Sequence, residues 1–265
     1  MNAAARPRAK ASPRADVGQN RPMSATNLLG RVRVVLVRAA HPGNIGAAAR
    51  AMKTMGLARL DLVGPQRFPD PEAAALAAAA GDVLAAARVH ATLEEALAGC
   101  VLAVGFTARP RDLSHPPASV REAAPLVLAS AATGPVALVF GNETNGLSNE
   151  ELLRCQARAT IPANPEYPAL NLAAAVQVAC YELASAARAF APPAEPGREL
   201  ATAEELEAFF AHLERSLLAS GFLDPAKPGR LMERMRRLYA RARLEREEAR
   251  ILRGMLAAFE RPKRR

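Results

Sequence analysis

Five apolar residues in a row, Val136–Phe140, end at Gly141 and give way to a polar loop, Asn142–Leu147, in which Gly146 is free to take a positive φ. A run with no polar alternation is buried on both faces, so it belongs to a parallel sheet covered by helices on both sides. Four more segments read as strands or short apolar segments: Val32–Val37, Leu60–Val63, Val101–Phe106 and Ala159–Ile161. Helix signals lie between them. Ser148 with Glu151 three residues on forms a capping box, Asn44 stands where it can cap a helix running to about Met55, and Gly56 ends that helix. Pro71–Val89 reads as helical with a break at Gly81, Leu93–Leu97 as a short helix, Val120–Ser130 as a helix, and a long alanine-rich helix starts at about Leu170. Strands alternating with helices predict an α/β domain with a mostly parallel sheet over residues 31–190. In such sheets ligands bind outside the carboxyl ends of the strands, which singles out the loops beginning at Phe106, Gly141 and Ile161.

Beyond this domain the character changes. Pro192, Pro193 and Pro196 mark residues 191–198 as a linker. Thr202 and Glu205 make another capping box, after which Leu206, Phe209, Phe210, Leu213 and Leu217 form an apolar stripe at helical spacing. Leu231, Met235 and Leu238 repeat the pattern among Arg230, Arg234, Arg237 and Arg241, and residues 247–259 read as a last helix. Residues 199–265 are therefore expected to form a small basic all-helical domain. Residues 1–30 are rich in Ala, Pro and Arg and read as a disordered basic tail, with a superficial likeness to a transit peptide and a second possible start at Met23.

Charge separates along the same lines. The whole chain carries +9; residues 1–31 hold +5 and residues 225–265 hold +9, leaving −5 for 32–224. A mildly acidic body with basic ends suits a protein that holds a polyanion outside its catalytic core, although a solvated helix face gives the same composition.

Several classes are disfavoured. Gly43 and Gly46 do not make a dinucleotide fingerprint, and there is no phosphate-binding P-loop. Cys100, Cys155 and Cys180 are lone and widely separated, which points to a reducing cytosol and a cytoplasmic protein. His41, His90, His115 and His212 lack ligand spacing, so no metal is expected. No apolar run is long enough for a membrane span. Arg50, one turn or so beyond a strand-end loop, is explained equally well as a surface helix residue or as a functional cation.

Three blocks carry a resemblance: HPGNIGAAARAMKTMGL, FGNETNGLSNEEL and IPANPEYPALNLAAAVQVACYEL. They resemble the three motifs of SPOUT-class (SpoU/TrmH-type) RNA 2′-O-methyltransferases. With AGDV, TLEEALAGC and ILRGMLAAFE added, the likeness is to the TrmJ type of tRNA methyltransferase and covers about residues 31–260. The resemblance implies a C-terminal trefoil knot in the parallel sheet, a homodimer, S-adenosyl-L-methionine as methyl donor, and tRNA as substrate at the pyrimidine of position 32 in the anticodon loop. It assigns catalysis to Arg50, Asn44, Glu143 and Asn171, and donor binding to Phe106, Thr107, Ala108, Gly141, Ile161, Pro168, Ala169 and Leu170. The family commonly has Ser where this chain has Ala169, and the TrmJ type usually has Arg where this chain has Asn142. The alternatives carried are a 2′-O-methyltransferase for another RNA, such as rRNA, and a non-catalytic RNA-binding protein of the same fold.

Overall fold

The computed structural model describes residues 24–108, 117–190 and 199–260. Strand β1, Val32–Val37, is buried at all six positions, and its side chains divide between two cores. Val32, Val34 and Leu36 face one, Val35 and Val37 the other, the period-two alternation of a strand covered on both sides. Around it lie β2 (Arg59–Val63), β3 (Arg88–His90), β4 (Leu102–Phe106), β5 (Ala118–Ser119), β6 (Val136–Phe140) and β7 (Ala157–Thr160). The order is β3-β2-β1-β6-β4-β7-β5, and every pairing is parallel. The chain winds outward through β2 and β3, then returns to build the other half, so the winding direction reverses between β1 and β6. Strand β7 enters the sheet between β4 and β5, both of which precede it in the chain.

Helices α1 (Ala25–Leu29), α2 (Pro42–Thr54), α6 (Val120–Ala131) and α8 (Leu172–Ala189) cover the first face with Leu28, Ile45, Met52, Leu128, Val176 and Leu183. Their alanines permit close approach. At Gly46 an added Cβ would lie 2.0 Å from the carbonyl oxygen of Ala73, on α3 (Pro71–Ala77). The second face is thinner and takes Leu93 and Leu97 of α5 (Leu93–Leu97), Leu152 of α7 (Asn149–Leu153) and Ala203. Full burial of each such leucine contributes roughly 1.5–3 kcal/mol.

Helices α9 (Ala203–Ala219), α10 (Leu231–Ala242) and α11 (Arg246–Phe259) form their own core from Phe209, Phe210, Leu213 and Leu244. They are fastened to the sheet domain: the Ala203 amide donates to the Cys100 carbonyl at 2.9 Å, Glu204 accepts from the Gly99 amide at 2.9 Å, and Arg243 donates to Ser130 Oγ at 2.9 Å.

Four expectations are corrected. The span 71–89 is not one broken helix: α3 and α4 (Gly81–Ala85) end before β3. That strand has no apolar run because it is held through charge, its Arg88 and His90 side chains bonding the fully buried Asp61 at 2.8 and 2.9 Å. Asn44 is not the cap of α2; Pro42 starts the helix after His41, two residues earlier, as suits proline in a first turn. The alanine-rich helix starts at Leu172 with Asn171 as its cap. Residues 25–29, expected in a disordered tail, form α1 with Ser24 as its cap, and Leu28 and Leu29 are buried in the core. The rest of the tail, with Met23, and the linker 191–198 lie outside the described residues.

Among the described residues no helix is long and apolar enough to cross a membrane, and no group of three His, Cys, Asp or Glu could hold a metal ion. Cys100, Cys155 and Cys180 are free and buried, and burial pushes their thiols up to about 11, 12 and 12.

Candidate active site

The carboxyl ends of β4, β6 and β7 open into one cleft of about 820 Å³, open solvent at its mouth included. Phe106 and Phe140, the last residues of β4 and β6, stack with ring centroids 4.2 Å apart and form an apolar wall. Thr107 and Ala108 continue from the first strand, Gly141 from the second and Ile161 from the third; Pro168, Ala169 and Leu170 close the far side. All eight residues expected to bind the donor therefore line a single cavity. Those not anticipated there are Phe140, Thr144, Asn145, Gly146, Leu172 and Ala175. Residues 109–116, the remainder of the loop after β4, lie outside the described residues.

The loop after β6 turns back on its own first residue. Asn142 Oδ1 accepts from the Asn145 amide at 2.7 Å, and the Gly146 amide returns to the Asn142 carbonyl at 3.0 Å. Gly146 has φ 69°, a conformation that a side chain resists. The turn is tight enough that a Cβ on Gly141 would lie 2.0 Å from the Gly146 carbonyl carbon. Glycine is required there by space, not by backbone angle.

The loop aims Glu143 at the start of α2. One carboxylate oxygen accepts from the Ala40 amide at 2.9 Å; the other accepts from the His41 amide at 3.2 Å and from Asn44 Nδ2 at 2.7 Å. Asn171 then donates from Nδ2 to Asn44 Oδ1 at 2.8 Å, while its own Oδ1 caps α8 by accepting from the Ala173 and Ala174 amides. Three expected catalytic residues from three distant segments thus form one continuous network, Glu143–Asn44–Asn171. Burial pushes the Glu143 carboxyl up, but the donors from Ala40, Asn44 and His41 outweigh it and hold the group below the usual carboxylate range.

Arg50 is not in this network. It is exposed on α2, does not line the cleft, and makes no hydrogen bond or ion pair among the described residues. Six residues of helix separate it from Asn44 by about 9 Å along the axis.

Arg38 was not anticipated. It follows β1 directly with φ 51° and is paired bidentately with Glu151, one contact being Nη2 to Oε2 at 3.0 Å. Glu151 also closes the α7 capping box by accepting from the Ser148 amide at 2.7 Å. The pair fastens the loop that carries the Ala40 and His41 amides to the one that carries Glu143. No motif announces it; only the sheet order brings the two loops together.

On α10 and its cap, Arg230, Arg234, Arg237 and Arg241 recur at i, i+4, i+7 and i+11 and all are exposed. Side chains so spaced share one helix face.

A parallel sheet whose strand ends open into a cleft places a ligand site at that edge, and the fold is that of a class of RNA methylases. The chain belongs to the SpoU rRNA methylase family, which it matches over residues 31–181. Similar curated proteins within that family are of the TrmJ type. Residues 204–265 match the C-terminal domain of the tRNA methyltransferase TrmJ. The chain is 52% identical over 240 residues to the tRNA (cytidine/uridine/adenosine-2′-O-)-methyltransferase TrmJ of Pseudomonas aeruginosa, covering 86% of this chain and 93% of that one. It is 50% identical over 237 residues to the tRNA (cytidine/uridine-2′-O-)-methyltransferase TrmJ of Escherichia coli K12, covering 88% and 96%. The crystal structure of TrmJ from Z. mobilis ZM4 superposes with a TM-score of 0.76 at 34% identity, covering 86% of this chain and 99% of that one.

Proposed function

We propose that this protein transfers a methyl group from S-adenosyl-L-methionine to the ribose 2′-hydroxyl of the pyrimidine at position 32 in the tRNA anticodon loop. It acts as a cytoplasmic homodimer with a trefoil knot around the cleft. The observation that carries the reading is the Glu143–Asn44–Asn171 network at the rim of a cleft lined by every residue assigned to the donor. The TrmJ-type C-terminal domain favours tRNA over ribosomal RNA, and the named relatives act on cytidine and uridine in tRNA. Position 32, the dimer and the knot rest on the family resemblance.

The cleft suits the donor. Phe106, Phe140, Ile161, Pro168 and Leu170 offer apolar surface to an adenine, and the backbone at Thr107, Ala108 and Gly141 offers polar groups to its edges. Bound there, the donor supplies an electrophilic methyl on a sulfonium. The protein's own work is positioning and charge. Glu143 is ionised and both its oxygens are engaged, so it is a poor proton acceptor; it fixes Asn44. Asn44 keeps one amide hydrogen for a ribose or phosphate oxygen. Asn171 fixes the other side of Asn44 through a side chain that the cap of α8 immobilises. The family resemblance assigns Arg50 as the cation that stabilises the ionising 2′-oxygen, although within this chain it stands outside the cleft. Arg230, Arg234, Arg237 and Arg241 hold phosphates.

Radiolabelled methyl transfer to tRNA, followed by nucleoside mapping, tests this. Labelling at nucleotide 32 that falls at least a hundredfold in Arg50→Ala is expected. A wild-type protein that labels no RNA would sink the reading.

A further inference from the structure

The loop that closes the cleft carries an aromatic side chain that the functional reading leaves unused. Tyr167 is 79% exposed, in a chain with three tyrosines and no tryptophan. The residue after it, Pro168, lines the cleft, and so do Ala169 and Leu170. Leu170 is itself 37% exposed, so apolar surface runs from the cavity wall to the ring.

The ring is held out by a built turn. Asn164 Oδ1 accepts from the Glu166 amide at 3.0 Å, and the Asn164 carbonyl accepts from the Tyr167 amide at 3.0 Å. Pro162, Pro165 and Pro168 fix φ at every third residue of the segment. A tyrosine has two side-chain torsions, so ordering it against a flat partner costs little entropy. A loop made stiff in order to expose an aromatic face presents a surface for another flat, partly apolar group.

We propose that Tyr167 is the stacking platform for the base carried by the reacting nucleotide, a proposal that rests on the reading of the cleft as an RNA ribose site. A ribose placed at Asn44 must send its base out of the cleft, because the donor occupies the inner walls. The base then leaves its helical stack and needs a replacement for its former neighbours. An aromatic face at the rim provides one, worth roughly a factor of 5 to 150 in binding. Stacking uses the π face that every base has, so it steadies the nucleotide without choosing between cytosine and uracil.

The test uses full-length protein and tRNA carrying fluorescent pyrrolocytidine at the methylated nucleotide. Wild type and Tyr167→Phe are expected to quench the probe equally, and Tyr167→Ala to lose most of the quench. In steady-state transfer, Tyr167→Ala is expected to raise KM for tRNA about tenfold or more while KM for S-adenosyl-L-methionine stays within twofold. Quenching and tRNA KM unchanged in Tyr167→Ala would overturn the proposal. So would a Tyr167→Ala protein that loses donor affinity or changes oligomeric state in step with its tRNA affinity, since the ring would then be a structural prop. Tyr167-dependent quenching without methyl transfer by the wild type would keep the platform and reject the methyltransferase reading, so the two failures are distinct.

Discussion

Gly141 and Gly146 approach so closely that a methyl group on the first would lie 2.0 Å from the carbonyl carbon of the second and 2.1 Å from the Leu147 nitrogen. Both obstacles are backbone, so neither can swing aside. Gly141→Ala is therefore expected to open the turn after β6, with a loss of about 1–3 kcal/mol in chemical denaturation and at least a tenfold loss of donor affinity by calorimetry. An alanine variant that binds the donor as the wild type does would show that the turn is not part of the site.

Glu143 joins three donors that would be orphaned without it. Replacing it with alanine leaves the Ala40 and His41 amides and the Asn44 side chain without their acceptor, at about 1–3 kcal/mol of stability. Transfer activity is expected to fall by more than the stability loss explains, because Asn44 is released. Circular dichroism melts paired with kcat/KM separate the two effects; an active Glu143→Ala enzyme contradicts the positioning role.

The same carboxylate sets a pH dependence. Its folded-state pKa is depressed, so its contribution to stability is fully present above the ordinary glutamate range. It is lost as pH falls from that range through the lower folded value. Melting temperature measured from pH 7 down to pH 3 is expected to decline less steeply in Glu143→Gln than in the wild type. Superimposable curves would show that Glu143 carries no such linkage.

Arg38 holds the two loops together from outside the cleft, and its side chain is half exposed. Arg38→Ala is expected to lower kcat/KM about three- to thirtyfold, with most of the loss in kcat, while changing the melting temperature little. Arg38→Lys cannot reproduce a bidentate pair and is expected to rescue only partly. Unchanged kinetics in Arg38→Ala would leave the ion pair as surface decoration.

The arginine face of α10 makes a prediction that salt reads directly. Removing one arginine that neutralises a phosphate lowers the slope of log affinity against log salt by about 1. Arg234→Ala/Arg241→Ala is thus expected to lower the slope for tRNA by about 2 with donor binding unchanged. An unaltered slope would place the RNA elsewhere.

Much of this site was legible because its residues are constrained one at a time. Glycines at a tight turn and prolines that fix a loop leave a local trace, and the family resemblance supplied the eight residues that the structure gathers around one cleft. Phe140 escaped because the last residue of a buried strand looks like core; Leu172 and Ala175 escaped because a helix start looks like packing. Asn44 was expected to cap its helix, but its side chain bonds Glu143, 99 positions away. The Arg38–Glu151 pair and strand β3 were invisible for a common reason. Each depends on a charge meeting a partner that only the sheet order supplies, and hydrophobic periodicity carries no record of it.

Strand β7 must find a slot between two strands made before it. Without residues 157–160, β5 has no partner among the described strands and β4 keeps only β6. The consequence lies in chain order: the cleft's third wall comes from Ile161 and the loop after it, downstream of the two strands that supply the other walls.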